Sequence, residues 1–233
     1  KKCFVPKPGH VLISADYSQL ELRLATAYSQ EPALLEVFNE GRDIFTEMTV
    51  TIREQLASTS PKLAEGWTRQ KTKTLVYSLQ YGAGDGRLMS AFGISKREAQ
   101  LLKNSFYRAY PRFRLLEENI TQKVEKTLSA RLWTGRYRHF KYKSEAYKAM
   151  NSVMQGGAAD IVDRVMVYVM ENLDNEDCRL LLQVHDALVF EVREEFAEEY
   201  AVKIKETMSD VNGICGDGED LFPVRFAVEV ESW

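Results

Sequence analysis

Residues 180–192 read LLLQVHDALVFEV, two apolar segments separated by His185-Asp186. Both segments have the length and the aliphatic and aromatic composition that are typical of β-strands. Because only two polar residues lie between them, we predict an antiparallel hairpin with His185-Asp186 at its turn. The carboxylate of Asp186 then lies at one edge of a small sheet.

A second predicted strand also ends at an acidic residue. Val11-Leu12-Ile13-Ser14-Ala15 is mostly apolar and stops at Asp16. If this strand pairs with the hairpin, Asp16 and Asp186 share a sheet edge, where like charges repel unless a cation lies between them. Mg²⁺ suits carboxylate oxygens, and two such ions about 4 Å apart activate an attacking hydroxyl and stabilise a leaving oxygen. The alternative is that Asp16 caps a helix and Asp186 only shapes a turn.

The chain between these strands is predicted to be largely helical, from helix start signals and apolar periodicity. The predicted helices lie at about 19–28, 32–40, 43–65 (with a polar break around 58–61), 68–80, 95–110 (with a capping box at Ser95), 114–129, on each side of Gly156-Gly157, and at 194–209. Residues 130–143 are predicted to form an aromatic, basic hairpin or loop, and residues 224–230 a last strand. The fold class is therefore α+β, a small antiparallel sheet joined to a largely helical insertion.

Charge is distributed unevenly along the 233 residues, although the formal net charge is only −3. Residues 101–148 contain 12 Lys/Arg and 4 Asp/Glu, whereas residues 171–233 contain 5 Lys/Arg and 17 Asp/Glu. A basic segment beside an acidic one suits a protein that binds a polyanion on one face. The alternative is that both segments are solvated helix faces.

The sequence also predicts a cellular setting. No apolar run is long enough for a membrane span, and the first residues lack the apolar region of a signal peptide. Cys3, Cys178 and Cys215 form no CxxC pair, so neither a disulfide framework nor a zinc site is predicted. We expect an intracellular protein that is not secreted, in a cytoplasm or nucleoid or in a virus-infected cell.

Two cations and two aromatic residues recur every four positions in the predicted helix over 68–80. Arg69, Lys73, Tyr77 and Tyr81 lie along one broad helix face. The cations are suited to a triphosphate and the rings to stacking on bases. The alternative is a solvated cationic face that continues into core tyrosines.

Three ordered segments resemble the signature motifs of family-A, DNA polymerase I-type enzymes. They are DYSQLELR at 16–23, RQKTKTLVYSLQYG at 69–82 and QVHD at 183–186. Connecting segments at 93–95 and 151–160 also match, so the resemblance covers nearly the whole chain. It implies magnesium-dependent, template-directed transfer of deoxynucleotides from dNTPs to a primer 3′-hydroxyl, with primer–template DNA as a partner.

By this resemblance, the catalytic residues are Asp16, Asp186 and Lys73. Asp16 and Asp186 are expected to bind two Mg²⁺ ions, and the backbone carbonyl of Tyr17 completes a metal site. Gln19, Arg69 and Lys73 resemble triphosphate ligands, and Lys73 is the candidate proton donor to the leaving pyrophosphate.

The resemblance also implies residues that select the nucleotide and contact DNA. Glu21 matches a steric gate against the sugar 2′-hydroxyl, with an ordinary helix ion pair as the alternative. Tyr77 matches the residue that packs on the incoming nucleotide, and Tyr81 the residue that occupies the template-base position until the fingers close. Four polar residues resemble those that line the primer–template minor groove: Asn151, Gln155, Gln183 and His185. A buried structural role is the alternative for Asn151 and Gln155.

Three positions depart from the family pattern. Ala187 stands where a third carboxylate is common, Phe45 where many members have a phosphate-binding His, and Tyr147, beside Lys148, where an Arg commonly contacts the minor groove. These changes are expected to weaken nucleotide affinity, fidelity or both.

The resemblance divides the chain into palm, at 1–45 and 131–233, and fingers, at 46–130. The resemblance extends to neither a thumb nor an exonuclease domain, so both are expected to lie outside these residues. We therefore expect a fragment of a longer or split enzyme, with an upstream thumb or exonuclease region on the same or another chain as a partner.

Two other functions are compatible with these motifs. A single-subunit RNA polymerase shares this palm, but Glu21 argues against it because a carboxylate gate excludes ribonucleotides. A primer–template-binding module without catalysis is favoured by Ala187, Phe45 and Tyr147. The retained carboxylates and phosphate-binding cations favour an enzyme.

Tyr77→Phe is predicted to increase discrimination against dideoxynucleotides. The Tyr77 hydroxyl is expected to fill the space of the missing 3′-hydroxyl, so the wild type discriminates weakly. Incorporation of dideoxynucleotides and deoxynucleotides by both proteins measures the ratio. If the Phe variant shows no gain, the hydroxyl does not have this role.

Overall fold

The computed structural model describes residues 4–216 and 221–232, so the expectation for Cys3 lies outside the described part. The chain divides into two compact units. The sheet unit contains residues up to 24 and from 156 onward, and the helical unit contains residues 25–155. The predicted palm and fingers boundaries remain predictions, because compactness alone does not assign a functional domain.

The α-helices, in chain order, are α1 Leu20–Ser29, α2 Pro32–Asn39, α3 Ile44–Ala57, α4 Pro61–Glu65, α5 Arg69–Gln80, α6 Asp85–Phe92, α7 Lys96–Ala109, α8 Pro111–Thr127, α9 Ala149–Asn172, α10 Ala197–Ser209 and α11 Val211–Cys215. The strands are β1 His10–Tyr17, β2 Ser129–Arg131, β3 Tyr137–His139, β4 Cys178–Val184, β5 Ala187–Arg193 and β6 Val228–Ser232. Short 3₁₀ helices cover Lys143–Lys148 and Glu194–Phe196. The predicted α+β fold is confirmed.

The sheet unit is built on four antiparallel strands in the order β4-β5-β1-β6. Successive side chains of β1 alternate between the two faces of the sheet. Ile13, Ala15 and Tyr17 are buried on one face, whereas Asp16 on the other face is exposed. The Tyr17 hydroxyl donates a 2.6 Å hydrogen bond to the Met208 carbonyl of α10, which fixes the strand end against that helix.

The prediction of two helices flanking Gly156-Gly157 is wrong, because α9 continues through both glycines. A glycine in a helix interior costs only about 1 kcal/mol relative to alanine. Apolar side chains on either side of the pair are fully buried, including Met154 and Ile161. Their burial outweighs the local cost of the glycines.

Other differences concern short elements and their ends. The helices α6 and α11 were not predicted, and β6 begins at Val228 rather than at 224. Within residues 4–216 and 221–232, none of the helices has the length and apolar character that crossing a membrane requires.

A buried hydroxyl fixes α5 in the helical unit. Thr72 is fully buried, and its Oγ1 accepts a 2.9 Å hydrogen bond from Trp67 Nε1. The same oxygen lies 2.8 Å from Thr49 Oγ1 on α3. These contacts fix the rotation of α5 against α3, and thereby the side on which Arg69 and Lys73 emerge.

Thr72→Val is expected to destabilise the protein by about 1–3 kcal/mol, because it leaves the buried Trp67 N–H without its acceptor. Urea denaturation measures the loss. Thr74→Val on the same helix is the matched control, since the bond its hydroxyl makes among the described residues is to the carbonyl of Gln70 within α5. Equal effects of the two substitutions would show that the buried junction contributes nothing specific.

Candidate functional site

Asp16 and Asp186 lie side by side at one edge of the sheet. In the β1–β5 register Asp16 is opposite Ala187, the residue after Asp186. The Tyr17 amide also donates a 3.3 Å hydrogen bond to the Asp186 carbonyl. Partial burial, followed by the charge and hydrogen bonding of Asp186, raises the pKa of Asp16 to about 6. The structure therefore brings together the two carboxylates that the sequence singled out.

Two further carboxylates, which the sequence analysis missed, belong to β6. Glu229 is opposite Asp16 in the β1–β6 register, and Glu231 is opposite Ser14. Their charges contribute to the raised pKa of Asp16. The alternation in Val228-Glu229-Val230-Glu231 indicates that both glutamates share a face, but the pairing of β6 with β1 was not evident from sequence.

An open cavity of about 500 Å³ lies in the sheet unit beside these groups. Its lining combines the acidic residues with apolar side chains of β1, β4 and β5, including Leu12, Val184 and Val189. The cavity thus places an apolar floor beside a concentrated negative charge.

The donor set fits a hard divalent cation. Carboxylate oxygens are the ligands that Mg²⁺ prefers, and it commonly binds through one or two carboxylates plus water and substrate phosphates. Within the described residues, no three His, Cys, Asp or Glu side chains are grouped closely enough to hold a metal. A metal here would be held by Asp16 and Asp186, with its other ligands from backbone, water or substrate.

Two candidate residues beside the carboxylates have left-handed backbone conformations, which are uncommon outside glycine. Gln19, just before α1, has φ 57°, and His185, at the β4–β5 turn, has φ 58°. Gln183 donates from Nε2 to the His185 carbonyl at 3.3 Å. Glu21 lies in the first turn of α1, whereas the buried Arg23 donates to the carbonyls of Ser18 and Arg225.

Arg69 is held by a residue that the sequence analysis did not identify. Its Nε donates a 2.9 Å hydrogen bond to Asp43 Oδ1, and its Nη2 bonds to Oδ2. Asp43 also caps α3 by accepting from the Thr46 amide at 2.6 Å. The hydrogen bonds from Arg69 hold the pKa of Asp43 well below its usual range. The sequence shows that Asp43 is suited to the N-cap of α3, but it does not show that Asp43 pairs with Arg69 of α5.

Phe45 lies at the centre of the predicted nucleotide-binding residues of the helical unit. The Arg69 guanidinium carbon is 5.5 Å from its ring centroid, and Lys73 Nζ is 5.8 Å away. The Tyr77 ring packs against it at 5.9 Å. Phe45 is fully buried, so it supports both cations through cation–π contact where a histidine would offer a hydrogen bond.

Tyr81 and Gly82 end α5. Tyr81 is partly exposed, and its ring lies 6.4 Å from that of Tyr77. Gly82 has φ +70°, and a Cβ there would lie 2.2 Å from the Tyr147 carbonyl oxygen. Only glycine fits this close approach, so the backbone at Tyr147 sets the end of the helix.

Asn151 and Gln155 lie one turn apart near the start of α9. Gln155 is exposed, whereas Asn151 Oδ1 is buried and has no hydrogen-bond partner among the described residues. The buried structural role that was the alternative for Asn151 is therefore not evident for this oxygen.

The sequence profile described as DNA polymerase family A matches residues 1–231. The chain belongs to DNA polymerase family A. Thermostable DNA polymerase I of Thermus filiformis is 34% identical over 241 residues, which cover 99% of this chain and 27% of that protein. DNA polymerase I of Helicobacter pylori is 30% identical, with 96% of this chain and 24% of that protein covered.

The fold is also that of a family-A polymerase domain. The polymerase domain of Pol1 from M. smegmatis, solved in complex with DNA primer–template and dNTP, superimposes with a TM-score of 0.82 at 26% identity. That match covers 98% of this chain and 40% of the other. The present chain thus spans about a quarter of the length of its full-length relatives. Family-A polymerases generally use Mg²⁺, in agreement with the carboxylate donor set.

Asp16→Asn is expected to stabilise the metal-free protein at neutral pH. Because the pKa of Asp16 is raised to about 6, the folded state keeps a proton between about pH 4 and 6 that the unfolded state has lost. Stability of the wild type therefore falls as the pH rises through this window, and the Asn variant lacks this loss. Thermal denaturation with a chelator at about pH 4 and pH 7 measures the difference.

The control is Asp163→Asn, which removes one negative charge from the exposed side of α9. The melting temperatures of the Asp16 variant and the wild type should agree at about pH 4 and diverge at about pH 7. A gain of the same size in the Asp163 variant would assign the effect to net charge rather than to the carboxylate pair.

Proposed function

We propose that this chain carries the nucleotidyl-transfer site of a DNA-directed DNA polymerase that extends a primer 3′-hydroxyl with deoxynucleotides on a DNA template. The observation that carries this proposal is the adjacency of Asp16 and Asp186, which come from distant parts of the chain. Family membership supports it, as does the likeness to a polymerase domain solved with primer–template and dNTP.

Asp16, Asp186 and the backbone carbonyl of Tyr17 are proposed to hold two Mg²⁺ ions. When bound, Mg²⁺ there promotes ionisation of the attacking hydroxyl and neutralises charge on the phosphates. The carboxylates are acceptors only, so they supply charge and fixed geometry. The buried Tyr17 side chain anchors this strand end through its bond to Met208, which supports a rigid position for both ligands.

The reaction is an in-line displacement at the α-phosphate. The primer 3′-hydroxyl gives its proton to solvent water and its oxygen forms a new bond to phosphorus, while the bond to the oxygen that bridges the α- and β-phosphates breaks. Pyrophosphate leaves, and Lys73 is proposed to give it a proton. Gln19, Arg69 and Lys73 are proposed to bind the triphosphate before the displacement, so most of the work is positioning and charge neutralisation.

The contacts of Arg69 support this assignment. Its pair with Asp43 uses Nε and Nη2, so the Nη1 edge of the guanidinium lies outside the pair. A bidentate pair fixes the guanidinium plane, which lowers the entropy lost when a phosphate binds. Phe45 holds Arg69 and Lys73 over one ring, so both cations are presented together.

Selection of the nucleotide and contact with DNA are assigned to the remaining candidates. Glu21 is proposed to exclude a 2′-hydroxyl, Tyr77 to pack on the incoming nucleotide, and Tyr81 to hold the template-base position. Four polar side chains are proposed to contact the minor groove: Asn151, Gln155, Gln183 and His185. The minor groove presents an acceptor on every base pair, and the side-chain amide groups of Asn151, Gln155 and Gln183 are donors that suit it.

The wider setting is part of the same proposal. We propose that 1–45 and 131–233 act as palm and 46–130 as fingers, and that an upstream thumb or exonuclease region is a partner. An intracellular setting is part of this proposal, because Cys3, Cys178 and Cys215 are scattered without a CxxC pair, which suits a reducing compartment.

Asp186→Asn is expected to reduce primer extension by about a thousandfold, because the loss of one metal-binding carboxylate costs several kcal/mol. Single-turnover extension of a primer by one dNTP, with Mg²⁺ and excess protein, measures the rate. Asp163→Asn, on the exposed side of α9, is the control for charge and should extend at the wild-type rate.

Metal binding gives an independent readout. Titration calorimetry with Mn²⁺ should show binding to the wild type and to Asp163→Asn, and weaker binding to Asp186→Asn. Full extension by Asp186→Asn, or no extension by the wild type at any protein concentration, would contradict the proposed function.

A further inference from the structure

A two-stranded hairpin between α8 and α9 has no part in the reaction proposed above. It consists of β2 and β3, paired so that Arg131 is opposite Tyr137 and Ser129 opposite His139. The basic hairpin, residues 129–143, is this ribbon with the segment that follows it. The basic hairpin belongs to the helical unit and contains none of the residues to which a role in the reaction is assigned.

The backbone of the basic hairpin is well defined. Gly135, with φ +85°, closes the turn, and its amide donates to the Leu132 carbonyl at 3.0 Å. At the base, the Phe140 amide donates to the Leu128 carbonyl at 2.8 Å. Ala130 and Leu132 are buried and anchor the ribbon. The ribbon is therefore a fixed platform rather than a loose loop.

The charge of the basic hairpin is of one sign. Residues 129–143 contain five Lys/Arg and no Asp/Glu, in a chain whose net charge is −3. The next acidic residue, Glu145, accepts hydrogen bonds from the amides of Lys141 and Tyr142 and from Lys148 Nζ. Its charge is thus engaged locally and does not neutralise the ribbon.

Two rings stand on the exposed face of the ribbon. Tyr137 and His139 are two positions apart on β3, so they share a face. Their rings are stacked, with centroids 6.4 Å apart and planes 24° from parallel. Tyr137 is 54% exposed, and Arg131, opposite it in the register, is also exposed. The ribbon therefore presents an exposed pair of stacked rings beside a cation.

The exposed rings and the adjacent cations of the basic hairpin favour single-stranded over duplex DNA. Duplex DNA keeps its bases stacked on one another, so its phosphates would contact the Lys and Arg side chains of the hairpin but its bases would not contact the rings. Unpaired bases offer a π-face to any exposed ring, and stacking on aromatic side chains is how single strands are held without regard to sequence. If the basic residues were only a solvated surface, the exposed, stacked rings would remain unexplained.

We infer that the basic hairpin binds single-stranded DNA, with unpaired bases stacked on Tyr137 and His139 and the adjacent phosphates contacted by Arg131. Naming that strand the unpaired part of the template rests on the proposed function. The stacking itself does not, because it requires neither metal nor dNTP.

Fluorescence anisotropy with two labelled probes tests the inference: a short oligothymidylate and an abasic oligomer with the same number of phosphates. Both are titrated with the full chain, in a chelator and without dNTP. The wild type should prefer the oligothymidylate. The double variant Tyr137→Ala/His139→Ala should lose about fivefold or more in affinity for it, and should bind the abasic probe as the wild type does.

Two further variants separate stacking from charge. Tyr137→Phe keeps the ring and should bind both probes as the wild type does. Arg131→Gln should lower the affinity for both probes by the same factor. It should also reduce the slope of log affinity against log salt concentration by about 1. Photocrosslinking of an oligomer that carries 5-iododeoxyuridine should attach the DNA to the peptide that contains Tyr137.

The inference is overturned if the double variant keeps the wild-type preference for the oligothymidylate, or if the crosslink lies outside residues 129–143. These results leave the reaction untouched, because primer extension by the wild type and its loss in Asp186→Asn test that separately. Conversely, loss of base preference in a chain that does not extend primers would support the hairpin site and contradict the proposed reaction.

Discussion

The antiparallel pairing of β1 with β5 is the contact on which the candidate site depends. Asp16 and Asp186 are 170 positions apart in the chain, and only the register of this pairing makes them neighbours. A shift by one residue would turn Asp16 to the buried face and Tyr17 toward solvent. The apolar side chains that alternate with Asp16, such as Ile13 and Ala15, exclude that register because they must stay buried. The hydrophobic core of the sheet unit therefore sets the position of a polar site.

The same sheet edge stores an electrostatic cost. Asp16 and Asp186 repel each other, with further repulsion from Glu229 and Glu231, and the raised pKa of Asp16 is the consequence. Such a cost persists only where surrounding structure over-determines the geometry, and here the Tyr17–Met208 bond and the strand pairing do so. A divalent cation held between these carboxylates, as proposed above, would reduce the repulsion and so stabilise the folded protein.

In the helical unit, buried contacts hold α5 in a fixed orientation, so that two cations of this helix lie on the same side. Thr72 fixes the rotation of α5 from the buried side, and Phe45 supports Arg69 and Lys73 from α3. Asp43 joins these roles, because it caps α3 and holds Arg69. The absence of a histidine at position 45 is therefore accompanied by a packed aromatic contact, so the departure from the family pattern changes the kind of support rather than removing it.

The fold class, most of the helices and strands, and the first members of both candidate clusters could be predicted from the amino-acid sequence alone. These features follow from local periodicity, from capping residues such as Ser95, and from ordered motifs, all of which a single chain displays. The pairing of β6 with β1, which adds Glu229 and Glu231 to the site, and the support of α5 by Asp43 and Phe45 became visible in the folded chain. So did the continuation of α9 through Gly156-Gly157. Each of these features depends on which surfaces are buried against each other. Burial overrides local propensity, and the sequence around a residue does not show which distant surface will cover it.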